Sequence, residues 1–155
     1  MNWATLKDKI YFVDGSLRDI IVEETTRKEW SNWIDYVNSN YVVEFYNGQK
    51  NQIENSIDKN IVFKLWDELT DYSNNATIRI DDIEIKCYFF IESEIENDIT
   101  PKDINSLEDH NKLISYMKGV SNFLGKRIIL TPENYSRQES EYIIIENGEI
   151  KIDLG

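Results

Sequence analysis

The chain has 155 residues, 41% of them apolar and 12% aromatic, and carries 17 Lys and Arg against 29 Asp and Glu for a formal net charge of −12. That length fits one α+β domain spanning residues 1–155, and the apolar content excludes a disordered chain. The negative field disfavours nucleic acid and anionic membrane as partners and favours cationic ones, although acidity also serves plain solubility.

The single cysteine, Cys87, cannot form an internal disulfide. The N-terminal residues lack an apolar run long enough for a signal peptide, and no later segment is long enough to span a bilayer. Cytoplasmic residence is the expectation.

In chain order, Lys9–Val13 and Asp19–Glu24 are short apolar-rich runs around Asp14-Gly15-Ser16, a hairpin signal. Thr26 and Glu29 form a capping box ahead of Trp30, Trp33, Ile34 and Val37, one apolar stripe at helical spacing. Tyr41–Tyr46 reads as a strand and Gln49–Ser56 as a loop or weak edge strand. Asp58 caps a second helix, along which Ile61, Val62, Leu65, Trp66 and Leu69 share a face. Ala76–Ile80 is a strand turning at Asp81-Asp82.

The stretch Ile83–Ile99 then alternates without interruption. Ile83, Ile85, Cys87, Phe89, Ile91, Ser93 and Ile95 fall on one side, while Glu84, Lys86, Tyr88, Phe90, Glu92, Glu94, Glu96 and Asp98 fall on the other. This pattern predicts one long central strand with a buried and a wet face.

Thr100-Pro101 and then Ser106 offer helix starts, and Leu113, Met117, Val120 and Leu124 mark a third helix stopped by Gly125. Arg127–Leu130 is a strand, Tyr135–Glu141 a polar loop, and Tyr142–Ile145 with Glu149–Asp153 a hairpin around Asn147-Gly148. The expected fold is α+β: a mainly antiparallel sheet with about three helices packed on one face.

The sole histidine, His110, lies near the start of the third helix and is expected at the surface or an interface. No metal-binding, phosphate-loop or nucleophile motif occurs, so no catalytic residue, metal or cofactor is expected and the chain does not read as an enzyme. The distinctive feature is the row Glu92, Glu94, Glu96 and Asp98, with Tyr88 and Phe90 on the same face. Strand spacing of about 6–7 Å is too open to converge on one ion. Charge with aromatic anchors suits a protein partner, and these six residues are the candidate partner-binding set. The alternatives are a small hydrolase or divalent-metal enzyme using the carboxylates with His110, and a structural or homodimeric subunit pairing through an edge strand.

Asp14-Gly15-Ser16-Leu17-Arg18-Asp19-Ile20, Trp30, Phe89-Phe90 leading to Glu94-Ile95-Glu96, Asp98 with Pro101, and Leu130-Thr131-Pro132-Glu133-Asn134 occur in that order. Together they resemble a family of small bacterial proteins similar to the immunity proteins of polymorphic or contact-dependent toxin systems. Tyr88 stands where that pattern has His, and Asn97 where an aromatic or aliphatic residue follows the glutamate. The resemblance implies neutralisation of a cognate toxin, a basic protein such as a nuclease, by tight one-to-one binding, and it brings no catalytic residues.

Overall fold

In the computed structural model, which describes residues 2–68, 71–134 and 141–154, the alternating stretch 83–99 is two strands, not one. The chain runs α1 (Trp3–Lys9), β1 (Arg18–Glu23), α2 (Arg27–Asn40), β2 (Val42–Asn47), β3 (Gln52–Glu54), α3 (Lys59–Trp66), β4 (Asn75–Ile80), β5 (Ile83–Cys87) and β6 (Glu94–Ile99). A single 3-10 turn (Pro101–Asp103), α4 (Leu107–Leu124), β7 (Ile128–Pro132), β8 (Ile143–Glu146) and β9 (Glu149–Ile152) follow. The strands form one nine-stranded sheet in the order β3-β2-β4-β5-β6-β1-β7-β8-β9, and every pairing is antiparallel. The α+β class therefore holds, with four α-helices among the described residues.

Local chemistry sets most boundaries. Thr26 and Glu29 make the reciprocal capping box at the start of α2, Asp58 accepts from the Asn60 and Ile61 N–H groups, and Ser106 accepts from the Asp109 N–H. Gly125 ends α4 in the left-handed region at φ 64°, where a Cβ would strain the chain. Asn147 and Gly148, both at positive φ, turn β8 into β9.

One face of the sheet meets the helices. Val22, Phe45, Ile78, Ile85, Ile95 and Leu130 project from the strands into one cluster with Leu6 of α1, Trp30 and Trp33 of α2, Val62 of α3, and Leu113 and Met117 of α4. Each such side chain, taken from water to full burial, contributes roughly 1.5–3 kcal/mol.

Two expectations are corrected. Lys9–Val13 is no strand: α1 ends at Lys9, capped at its start by Asn2, and no hairpin forms around Gly15. The Ile10 and Tyr11 N–H groups both donate to the Leu6 carbonyl, closing the helix end where a strand would have sent them to a neighbour. The stretch 83–99 folds back through residues 88–93, so that Lys86 of β5 sits opposite Asp98 of β6. The odd-numbered residues stay on the core face in both strands, so the sequence pattern runs through the turn unbroken. Phe89 marks the reversal at φ 56°, and Ile91, expected inside, is 50% exposed. Leu69, assigned to the α3 stripe, and nearly all of the loop 135–141 lie outside the described residues.

Candidate functional site

The sheet face away from the helices carries the carboxylates. Glu94, Glu96 and Asp98 share that face of β6, and the register adds two residues the row in sequence did not include. Asp19 of β1 stands directly opposite Asp98, and Glu23 opposite Glu94, with Ile21 facing Glu96. Like charges in direct cross-strand pairs repel at about 4.5–5.5 Å between backbone positions.

The electrostatics follow from burial first and from that crowding second. Burial, and then Asp19, Glu94 and Asp98, push the Glu96 carboxyl up to about 7. Burial, Asp19 and Glu133 push Asp98 up to about 6, against a smaller opposing pull from Lys86. Glu94 is raised by burial, Glu23 and Asp19. Asp19 is raised by burial and Glu133, although the Asn134 N–H donates to its Oδ2 at 3.1 Å. Among the described residues no ion pair reaches Glu94, Glu96 or Asp98.

Nearby cations are engaged elsewhere. Arg79 bridges Glu44 and Glu84, Lys86 pairs with Glu84 and donates to Thr77, and Lys126 donates to the Glu24 carbonyl. Arg127 pairs with Glu141 at 2.9 Å.

The other half of the expected set is elsewhere. Tyr88 and Phe90 leave β5 beyond its last residue and stack on one another at 5.6 Å between ring centroids. Glu92 is held with Asp67 by the Arg27 guanidinium, whose pKa those two acceptors raise. The six candidates thus divide into a carboxylate face (Glu94, Glu96, Asp98) and a loop group (Tyr88, Phe90, Glu92).

His110 is not at the surface. It is 5% exposed on α4, and its Nδ1 lies 2.7 Å from the Tyr11 hydroxyl. With that hydroxyl donating, the ring is the neutral tautomer, and burial lowers its pKa. The unexpected α1 brings Tyr11 over it, on the helix side of the sheet, so His110 does not join the carboxylates of the opposite face. No group of three His, Cys, Asp or Glu that could hold a metal ion occurs among the described residues. Cys87 points into the core as expected, where burial raises its thiol to about 12. No described helix is long and apolar enough to cross a membrane.

Asp19 and Glu23 were missed because their strand lies more than seventy positions from β6 in the chain. The alternation Asp19, Ile21, Glu23 was the available signal, but it says nothing about which strand is the neighbour. Comparison with family models, curated proteins and solved structures finds no match to this chain.

Proposed function

We propose that this protein is a binding module for a basic protein, and that it serves as an immunity protein neutralising a cognate toxin. One observation carries the reading: Asp98 faces Asp19 and Glu94 faces Glu23 on the sheet face that bears no helices. A surface whose charges repel one another in the free protein gains by meeting cations, and a basic toxin would supply them. Glu94, Glu96 and Asp98 are half-buried on their strand, which leaves them little freedom to lose on association. The resemblance to immunity proteins adds the class of partner, and a nuclease groove built for phosphates would be the natural counterpart of such a face.

The test is capture from the native host with the parent protein and with Glu94→Lys/Glu96→Lys, at low and high salt. The expected result is one basic protein retained by the parent, released by salt and lost by the double variant. Its toxicity on expression would be suppressed by the parent alone. Because a cation favours the ionised carboxylates, the complex should tighten between about pH 6 and 8 and release protons as it forms. Equal retention by parent and variant removes this face as the docking surface.

A further inference from the structure

The acidic face has a shape as well as a sign, and the shape narrows what can dock on it. One cross-strand row runs Glu44, Thr77, Lys86, Asp98, Asp19 and Thr131, from β2 through β4, β5, β6 and β1 to β7. On the β2 side of this row the charges are matched. Arg79 bridges Glu44 and Glu84, and Lys86, although opposite Asp98 in the ladder, pairs with Glu84 at 3.4 Å and donates to Thr77 at 3.0 Å. On the other side β7 presents the uncharged Ile129 and Thr131 opposite Ile21 and Asp19. Between them lie Glu94, Glu96, Asp98 and Asp19, which no ion pair reaches among the described residues. The unmatched charge is therefore a stripe two strands wide. Neighbouring strands lie about 5 Å apart, and Glu94 and Asp98 stand about 13 Å apart at strand rise.

Asp19 marks the end of the stripe where a cation is most wanted. It is 5% exposed, its Oδ2 accepts the Asn134 N–H at 3.1 Å, and its Oδ1 accepts nothing among the described residues. That oxygen is not sealed in: the sealed side-chain atoms without a partner among the described residues are Nδ2 of Asn74 and Nδ2 of Asn97. A carboxylate taken this far from water with no cation is destabilising, and the arrival of a cation offsets it. Asp98, half-buried directly opposite, borders the approach. The carboxylates do not converge as metal ligands among the described residues, so the cation that fits is one carried on a side chain. A guanidinium has parallel N–H groups for two carboxylates at once, which a lysine ammonium lacks.

A stripe this narrow takes one rod laid along the strands. An extended chain there would leave its backbone N–H and C=O groups without partners, because those of the sheet are used in its own ladders. An α-helix satisfies its own backbone and returns a side chain to one face every turn. That rise of about 5.4 Å is close to the roughly 6–7 Å between alternate residues of a strand. The flexible stems of Lys and Arg absorb the difference.

Resting on the reading of this face as the docking surface, we infer that the partner lays a basic α-helix along β6 and β1. Its cationic residues, one turn apart, lie over Glu94, Glu96 and Asp98, and the one at the Asp98 end is an arginine that reaches Asp19.

The probe is an end-capped alanine-based peptide of about 18 residues, with one arginine and two lysines at every fourth position and so on one helix face. It is titrated at low salt into the isotope-labelled full chain and followed by nuclear magnetic resonance. The expected result is saturable binding at about millimolar strength or tighter, with shifts at the amides of β6 and β1. A peptide with the same residues at every fifth position, spread round the helix, should bind at least about threefold more weakly. Replacing the arginine by lysine should weaken binding to the parent about twofold to threefold. It should have no such effect with Asp19→Asn, which keeps the shape of the side chain and an acceptor for the Asn134 N–H. Equal binding of the two arrangements, or an arginine preference that survives Asp19→Asn, would overturn the proposal and leave the acidic face a docking surface for cations of any shape. Shifts confined to other strands would overturn both the proposal and that reading. Saturation of the same amides by calcium chloride but by neither peptide would make the face a metal site. Absence of saturation by any of these probes would also overturn the proposal, and capture from the host would then decide the broader reading alone.

Discussion

The Arg18 Nε donates to the Ile10 carbonyl at 2.7 Å, fastening the first residue of β1 to the end of α1. The same guanidinium donates through Nη2 to the Phe12 carbonyl at 2.8 Å and through Nη1 to the Leu17 carbonyl and the Ser16 hydroxyl, both at 2.9 Å. Arg18 is 1% exposed, and the Phe12 ring lies 4.5 Å from its centre. No carboxylate pairs with it among the described residues. One planar fork thus organises the loop that separates α1 from the sheet.

Replacing that fork should be costly even when charge is kept. A lysine has one donor point and cannot reach carbonyls on several sides, so Arg18→Lys leaves buried acceptors unmet. We expect a loss of about 2–4 kcal/mol for Arg18→Lys and a similar loss for Arg18→Met. Urea unfolding checks this. A lysine variant within about 0.5 kcal/mol of the parent would mean that charge, not geometry, is what the site needs.

A buried polar chain crosses the core between helices and sheet. The Trp33 indole N–H donates to the Tyr116 hydroxyl at 3.1 Å, and that hydroxyl donates to Asn97 Oδ1 at 2.6 Å. Tyr116→Phe removes the middle member and strands a donor and an acceptor together. The expected cost is about 2–3 kcal/mol, larger than for loss of an exposed hydroxyl. Adding Asn97→Leu should recover part of it, because the orphaned acceptor and the Asn97 Nδ2, which has no partner among the described residues, leave together. Strict additivity of the two changes, measured by denaturant unfolding, would show that the residues do not act as a chain.

The crossing of α2 and α4 depends on Gly119. A Cβ there would lie 1.9 Å from the Tyr36 hydroxyl and 2.8 Å from the ring carbon bearing it. Tyr36 is in turn packed against Tyr41 and Phe123. Gly119→Ala gains helix propensity of about 1 kcal/mol but forces the ring or the helix aside, at about 1–3 kcal/mol. The net effect should be destabilising, and Tyr36→Ala in the same chain should reverse its sign. An alanine variant as stable as the parent in thermal unfolding would show that the Tyr36 ring moves freely.

What the sequence made legible was local. The capping box at Thr26 and Glu29, the Asp58 cap, the Asn147-Gly148 turn and the stripe from Trp30 to Val37 need only neighbours within a few residues, and all are present. Pairing between distant strands leaves no such trace, so the crowding of Asp19 against Asp98 could not be read. The turn at residues 88–93 was hidden for another reason. It preserves the parity of the two strands it joins, and so one alternating run encodes two antiparallel neighbours. Helix α1 was lost because Leu6 is its only buried residue, which leaves no stripe to detect.

The burial of the carboxylates on the acidic face, and after it their mutual repulsion, should be visible as a dependence of stability on pH. Glu96 is raised to about 7 from its ordinary 4.5, so the folded state holds a proton there that the unfolded state releases. Its contribution to stability therefore falls as pH rises from about 4.5 to 7 and stays low above that. His110 runs the other way: burial lowers its pKa, so stability is lost as pH falls below its ordinary 6.5. Comparing Glu96→Gln with the parent removes the His110 contribution, since both chains carry it. Glutamine cannot ionise, so the variant should be more stable at pH 8, by about 1 kcal/mol or roughly 2–4 °C in Tm, after allowance for the solvent contact of Glu96. The gap should close by pH 4.5, where the parent is protonated as well. A gap that persists unchanged at acid pH would trace the gain to packing, and neither burial nor the neighbouring carboxylates would then disfavour the ionised Glu96.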